Sequence, residues 1–198
     1  MTSTPTRGRP RSFDREAALA AAMLLFWEKG YEAASIADLT EAMGIRPPSL
    51  YAAFGDKRAL FDEVVARYGQ TYGAFGARAL AEEPTVRAGI ARLLREAAAE
   101  YTAPGRPHGC LVVSAAANCG SPDVREALLV LRKANLEDFE QRIAAAVARG
   151  EEPAATDPRA LARFTAAVVQ GMSQQARDGA SREELELIAQ TAMAAWPS

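Results

Sequence analysis

Between Gly30 and Lys57 the chain reads GYEAASIADLTEAMGIRPPSLYAAFGDK: two short helical patterns, Ile36–Met43 and Pro48–Phe54, separated only by Gly44-Ile45-Arg46-Pro47. This is the length and chemistry of a helix-turn-helix corner. Ser35 followed three residues later by Asp38 is a short-armed capping box ahead of the apolar spacing Ile36, Leu39, Ala42 and Met43, so a helix starts there. Gly44 can take the left-handed conformation that ends a helix, and Pro47-Pro48, lacking two amide donors, suits only the first positions of the next. In that second helix Leu50 and Phe54 stand four apart and should face a core. Ser49, Ala52 and Ala53 form a face of small side chains that lets the backbone approach a DNA groove. Local spacing alone fits an ordinary helical hairpin equally well.

The chain of 198 residues, 49% hydrophobic, is long enough for one or two domains with a substantial core. Ala fills 44 positions and Pro falls mostly at segment edges, so the expectation is an all-α fold of about nine helices with no sheet. Residues 1–12 contain no apolar run, and no stretch reaches the ~18 uncharged apolar residues of a membrane span, so a soluble cytoplasmic protein without a membrane partner is expected. The formal charge is −2, and residues 1–69 hold nine Lys or Arg against nine Asp or Glu. Any basic footprint must therefore be local. It is densest in a flexible arm, residues 1–12, where Arg7, Arg9 and Arg11 could enter a minor groove or lie along phosphates; a solubilising tail is the alternative.

Further along, a first helix from Ser12 or Asp14 should run to Lys29 and stop at Gly30, with Tyr31 plugging the core behind it. Asp56 caps a fourth helix from Lys57 towards Leu80, and Lys57 in its first turn opposes the helix dipole, which suggests a phosphate partner. Pro84 should open a fifth helix to Tyr101. The apolar segment Cys110–Asn118 is read as a buried sixth helix, Ser121-Pro122 as the start of a long seventh to Arg149, Asp157-Pro158 as that of an eighth to Gly179, and the capping box Ser181-x-x-Glu184 as that of a ninth ending near Trp196. On the last two helices Leu161, Phe164, Val168 and Met172, and Leu185, Ile188, Ala192, Met193 and Trp196, fall at steps of three and four. They are the expected dimer surface, although periodicity does not separate it from intrachain core.

Cys110 and Cys119 on one helix would stand ~13 Å apart on opposite faces, too far for a disulfide, so buried inert thiols are expected. With one His and two Cys the chain offers a thin metal-ligand set, and neither metal nor cofactor is expected. An enzyme acting through Tyr101, His108 and Cys110 is a competing reading, but no nucleophile-base-orienter set, phosphate loop or paired-carboxylate motif stands out. A helical dimerisation module whose corner does not read DNA is another.

Gly30-Tyr31, Ser35, Leu39, Ala42, Gly44-Ile45, Ser49-Leu50-Tyr51, Phe54, Lys57 and Leu60 together resemble the tetracycline-repressor (TetR) family of bacterial transcription regulators over about the first third of the chain. The resemblance implies a helix-turn-helix DNA-binding domain, residues 13–56, and a ligand-binding and dimerisation domain, residues 57–198. It also implies a homodimer released from a pseudopalindromic double-stranded DNA operator by a small-molecule effector. By position it assigns phosphate contacts to Tyr51 and Lys57, a backbone contact to Ser35 and base edges to Arg46, Pro48 and Ser49. One departure is Ala53, where many members carry His. Tyr68, Tyr72, Phe75, Tyr101, Leu111, Phe139 and Gln170 come from segments that would surround the family's effector cavity, which suggests a mainly apolar effector.

Overall fold

The computed structural model describes residues 13–117 and 119–197, and they form ten helices and no strand. Arg7 and Arg9, with the rest of the arm, lie outside the described residues.

The first helix, α1 (Arg15–Ala33), is capped by the Asp14 carboxylate, which accepts from the Ala17 amide. Its regular part ends where expected: Gly30 adopts φ 78° and ψ 172°, and Tyr31–Ala33 follow the kink. The corner is α2 (Ile36–Ala42) and α3 (Pro47–Phe54). The capping box at α2 is complete, with the Ser35 hydroxyl accepting from the Asp38 amide and the Asp38 carboxylate from the Ser35 amide. Gly44 stands at φ 64° in the turn, and the Arg46 carbonyl accepts from Ser49 and Leu50 as α3 begins.

Where the sequence predicts a fourth helix running on towards Leu80, the chain breaks. It forms α4 (Lys57–Gln70) and α5 (Phe75–Glu82), with the Gly73 amide folded back to the Tyr68 carbonyl at 2.8 Å. Gly69, Gly73 and Gly76, poor helix formers one turn apart, are the sequence cause. The helix α6 (Val86–Tyr101) is capped by Thr85 rather than opened by Pro84. Beyond it come the short α7 (Leu111–Ala117), then α8 (Pro122–Ala148), α9 (Pro158–Arg177) and α10 (Arg182–Ala194).

Two apolar clusters hold the helices. One joins α1 through Phe26 and Trp27, the corner through Leu39, Leu50 and Phe54, and α4 through Leu60, Phe61 and Val64; it continues into Leu111 of α7 and Leu128 of α8. The second is built from α5, α6, the distal part of α8, α9 and α10. The first cluster has no division at residue 56. Gly109 (φ +77°) lets the loop before α7 press onto α9: a Cβ there would lie 2.6 Å from the Ser173 carbonyl oxygen. The next amide, Cys110, donates to the buried Ser173 hydroxyl at 2.8 Å.

This packing corrects part of the expected dimer surface. Met172 and Leu185 are 0% exposed within a single chain. Leu161 is buried with them, and so is Trp196, whose indole nitrogen donates to the buried Glu152 carboxylate at 3.0 Å. These four residues are intrachain core. Val168, Ile188 and Met193 are half-buried against the same cluster, whereas Phe164 remains 40% exposed.

Candidate functional site

The corner sorts its side chains by face. Leu50 and Phe54 are buried, while Arg46, Pro47, Pro48, Tyr51 and Ala52 are exposed and Ser49 is half-buried. Tyr51, at 49% exposure, is a large aromatic ring that the fold leaves in solvent beside a row of small residues. The C-terminal end of α3 is held by Arg15, which packs over the Phe54 ring (4.4 Å), donates to the Ala53 carbonyl and pairs with Glu63 at 2.6 Å. Sequence reasoning missed Arg15; its position at the start of a helix gave no sign of a partner 48 residues on.

Ser35 is exposed, but its hydroxyl is engaged twice with Asp38, accepting from the amide and donating to the carboxylate at 2.7 Å. The Ser35 hydroxyl, followed by the Lys29 ammonium at 2.9 Å, holds the Asp38 carboxyl well below the usual carboxylate range. Lys57 has a partner inside the chain that its first-turn position did not reveal: its ammonium sits 4.4 Å from the Tyr31 ring centroid and 3.5 Å from the Glu32 carbonyl oxygen. Partial burial there lowers the Lys57 pKa. Tyr31 is thus both the expected plug, packed on Phe26 and Phe61, and the support for a cation at the edge of the reading face.

Besides the shared apolar cluster, the side chains of Glu32 and Arg177 tie this head to the rest of the molecule by hydrogen bonds. The Glu32 carboxylate accepts from the amide of Ser121, the residue before α8, at 2.7 Å and from the Cys119 thiol at 3.6 Å. Arg177, at the end of α9, donates to the carbonyls of Trp27 and Glu28.

A cavity of about 720 Å³ is lined by residues of α4, α5, α6, α7, α8 and α9. Of the seven expected effector residues, Tyr68, Phe75, Tyr101, Phe139 and Gln170 line it. The other two do not. Leu111 is fully buried in the first cluster, and Tyr72 packs between Trp27, at a tilt of 53°, and Arg106 (5.5 and 4.6 Å to the ring). Burial, followed by the neighbouring Cys110 thiol, raises the Tyr68 pKa; burial and Cys110 likewise raise that of Tyr101, so both phenols stay protonated and offer O–H groups. Cys110 lines the cavity, and Cys119, buried beside Glu32 with its pKa raised by burial, is outside it; both are free thiols. The trio required by an enzyme reading is not assembled, because His108 faces the Ala176 carbonyl of α9 while Tyr101 and Cys110 face the cavity. Among the described residues no group of three or more His, Cys, Asp or Glu side chains is placed to hold a metal ion, and no helix is long and apolar enough to cross a membrane.

Residues 18–64 match the profile of the bacterial regulatory proteins, tetR family, and residues 87–192 that of the tetracyclin repressor-like C-terminal domain. The HTH-type transcriptional repressor ComR of Escherichia coli K12 is 40% identical over 97% of this chain and 93% of its own. The repressor BdcR of the same organism is 36% identical over 90% and 86%. Among solved structures, a cysteine-substituted form of the TetR family transcriptional regulator CifR, complexed with 26-bp double-strand operator DNA, superposes with a TM-score of 0.89 at 47% identity. The match covers 96% of this chain and 100% of that one.

Proposed function

The chain belongs to the tetR family of bacterial regulatory proteins, and on that premise we propose that it is a cytoplasmic transcriptional repressor that leaves its operator when a small molecule enters the α4–α9 cavity. The observation that carries the reading is the sorting of α3, which buries Leu50 and Phe54 and presents Arg46, Pro48, Ser49 and Tyr51 from a helix that Arg15 holds in place. Arg46 stands at the helix N-cap, the end that enters a major groove first, and its fork suits the N7 and O6 acceptors of guanine. Tyr51 and Lys57 flank it as phosphate contacts, and Arg7 and Arg9 of the arm reach a minor groove. The relatives support this reading: ComR and BdcR are named as repressors, and CifR has been solved on operator DNA.

Two heads are needed to read a pseudopalindrome on one face of the duplex, so the working form is a homodimer. Its interface is the outer face of α9 and α10, where Phe164 and Leu187 (61% exposed) project from helices whose inner faces are core. The effector acts by favouring a spacing of the heads that does not fit successive major grooves, and operator DNA must weaken effector binding by the same factor. A footprint of the purified protein on DNA flanking its own gene tests the reading. Protection of two half-sites one helical turn apart is expected, and absence of salt-dependent binding would overturn it.

A further inference from the structure

One cation on the cavity wall makes no ion pair among the described residues. Arg132, on α8, is the only basic residue among those lining the cavity, and its Nη1 is buried without a hydrogen-bond partner among the described residues. A guanidinium brings five N–H donors in a planar fork, and a buried one needs a partner that matches that fork. The two carboxylates on the same wall are already engaged: Asp62 pairs with Arg58 and Asp138 with Arg142, each at 2.9 Å. Arg132 also lines a second cavity of about 510 Å³, where Asp123 and Glu126 are exposed and make no ion pair with it. The phenols of Tyr68 and Tyr101 are neutral donors, and most of the remaining wall is apolar, including Phe75, Leu80, Leu93 and Leu131. Arg132 is half-buried with its Nη1 enclosed; buried polar groups are almost always satisfied, so a ligand entering the largely apolar cavity is the partner open to that nitrogen.

We propose that the cavity takes an amphipathic anion, an apolar body bearing one carboxylate-like head that pairs with the Arg132 guanidinium. The regulatory meaning of this ligand rests on the reading of the cavity as the effector site; the binding does not. Three probes with one apolar body, decanoate, decanol and decylammonium, are titrated calorimetrically into the full-length protein without DNA. Decanoate is expected to bind at least about tenfold more tightly than decanol, the scale of a charge-assisted hydrogen bond, with decylammonium weakest. In Arg132→Gln the affinity for decanoate falls to that for decanol, and decanol is unchanged. Should that variant not fold, Arg132→Lys, which keeps the charge but loses the fork, still binds decanoate severalfold more weakly with decanol unchanged. Equal affinities in the wild type, a preference that survives both substitutions, or no binding of any probe would overturn the proposal. Repeating the titration with operator DNA separates the two readings: tight, Arg132-dependent decanoate binding that leaves DNA affinity untouched refutes gating and upholds the anion site.

Discussion

Arg46 and Lys57 flank the reading face in different settings, and their substitutions should differ in kind. Arg46 is exposed at the start of α3, free to meet a base edge, and a bidentate arginine discriminates by ~1–3 kcal/mol. Arg46→Ala therefore relaxes base preference. Lys57 is seated on Tyr31 and can present its ammonium only at the rim, so Lys57→Ala weakens binding to every sequence by a similar factor. Gel-shift titrations against single-base operator variants distinguish the two, and equal losses on all variants for Arg46→Ala would count against the assignment. Asp38 supplies a pH test. Its folded pKa lies below the ordinary carboxyl value of 3.8, so its contribution is fully present above that value and is lost as the pH falls below it. Urea melts across the acid range should show a shallower fall in stability for Asp38→Asn than for the wild type; parallel curves would show that the carboxylate contributes nothing.

At the scale of elements, what could be read ahead was local. Ser35-x-x-Asp38, Gly44, Pro47-Pro48, Asp56 and Ser181-x-x-Glu184 each act within four residues of themselves, and each helix end they announce is present. What could not be read depends on partners distant in sequence. Periodicity gave Met172, Leu185 and Trp196 an apolar face, but only the fold shows that this face meets α6 and the loop after α8 rather than open surface. Tyr72 and Leu111 belonged to segments that reach the cavity, yet their side chains turn away from it. Gly109 is the element-scale test of the α7–α9 junction. Gly109→Ala forces a non-glycine residue into φ +77° and places a methyl group against the Ser173 carbonyl, so urea unfolding should show a loss of more than about 1–2 kcal/mol in stability. A change near zero would mean that the loop does not press on α9.

For the whole molecule, exposure and burial on α9 and α10 predict two distinct kinds of failure. Phe164→Asp and Leu187→Asp leave the chain folded but shift sedimentation towards a monomer and weaken operator binding, because an outer-face charge would be desolvated against a second copy. Met172→Ala opens a hole in a fully enclosed site and destabilises the chain by ~2–5 kcal/mol at any concentration. Monomers from Met172→Ala with unchanged melting, or intact dimers from both outer-face changes, would place the interface elsewhere. The uninterrupted cluster from Phe26 through Phe61 to Leu111 bears on how such regulators can be recombined. A chimera spliced at residue 56 would strip the borrowed head of the aromatic floor it rests on and leave the recipient with a mismatched socket. Operator preference should therefore be transplanted by rewriting the outward positions of α3, not by exchanging the N-terminal segment whole.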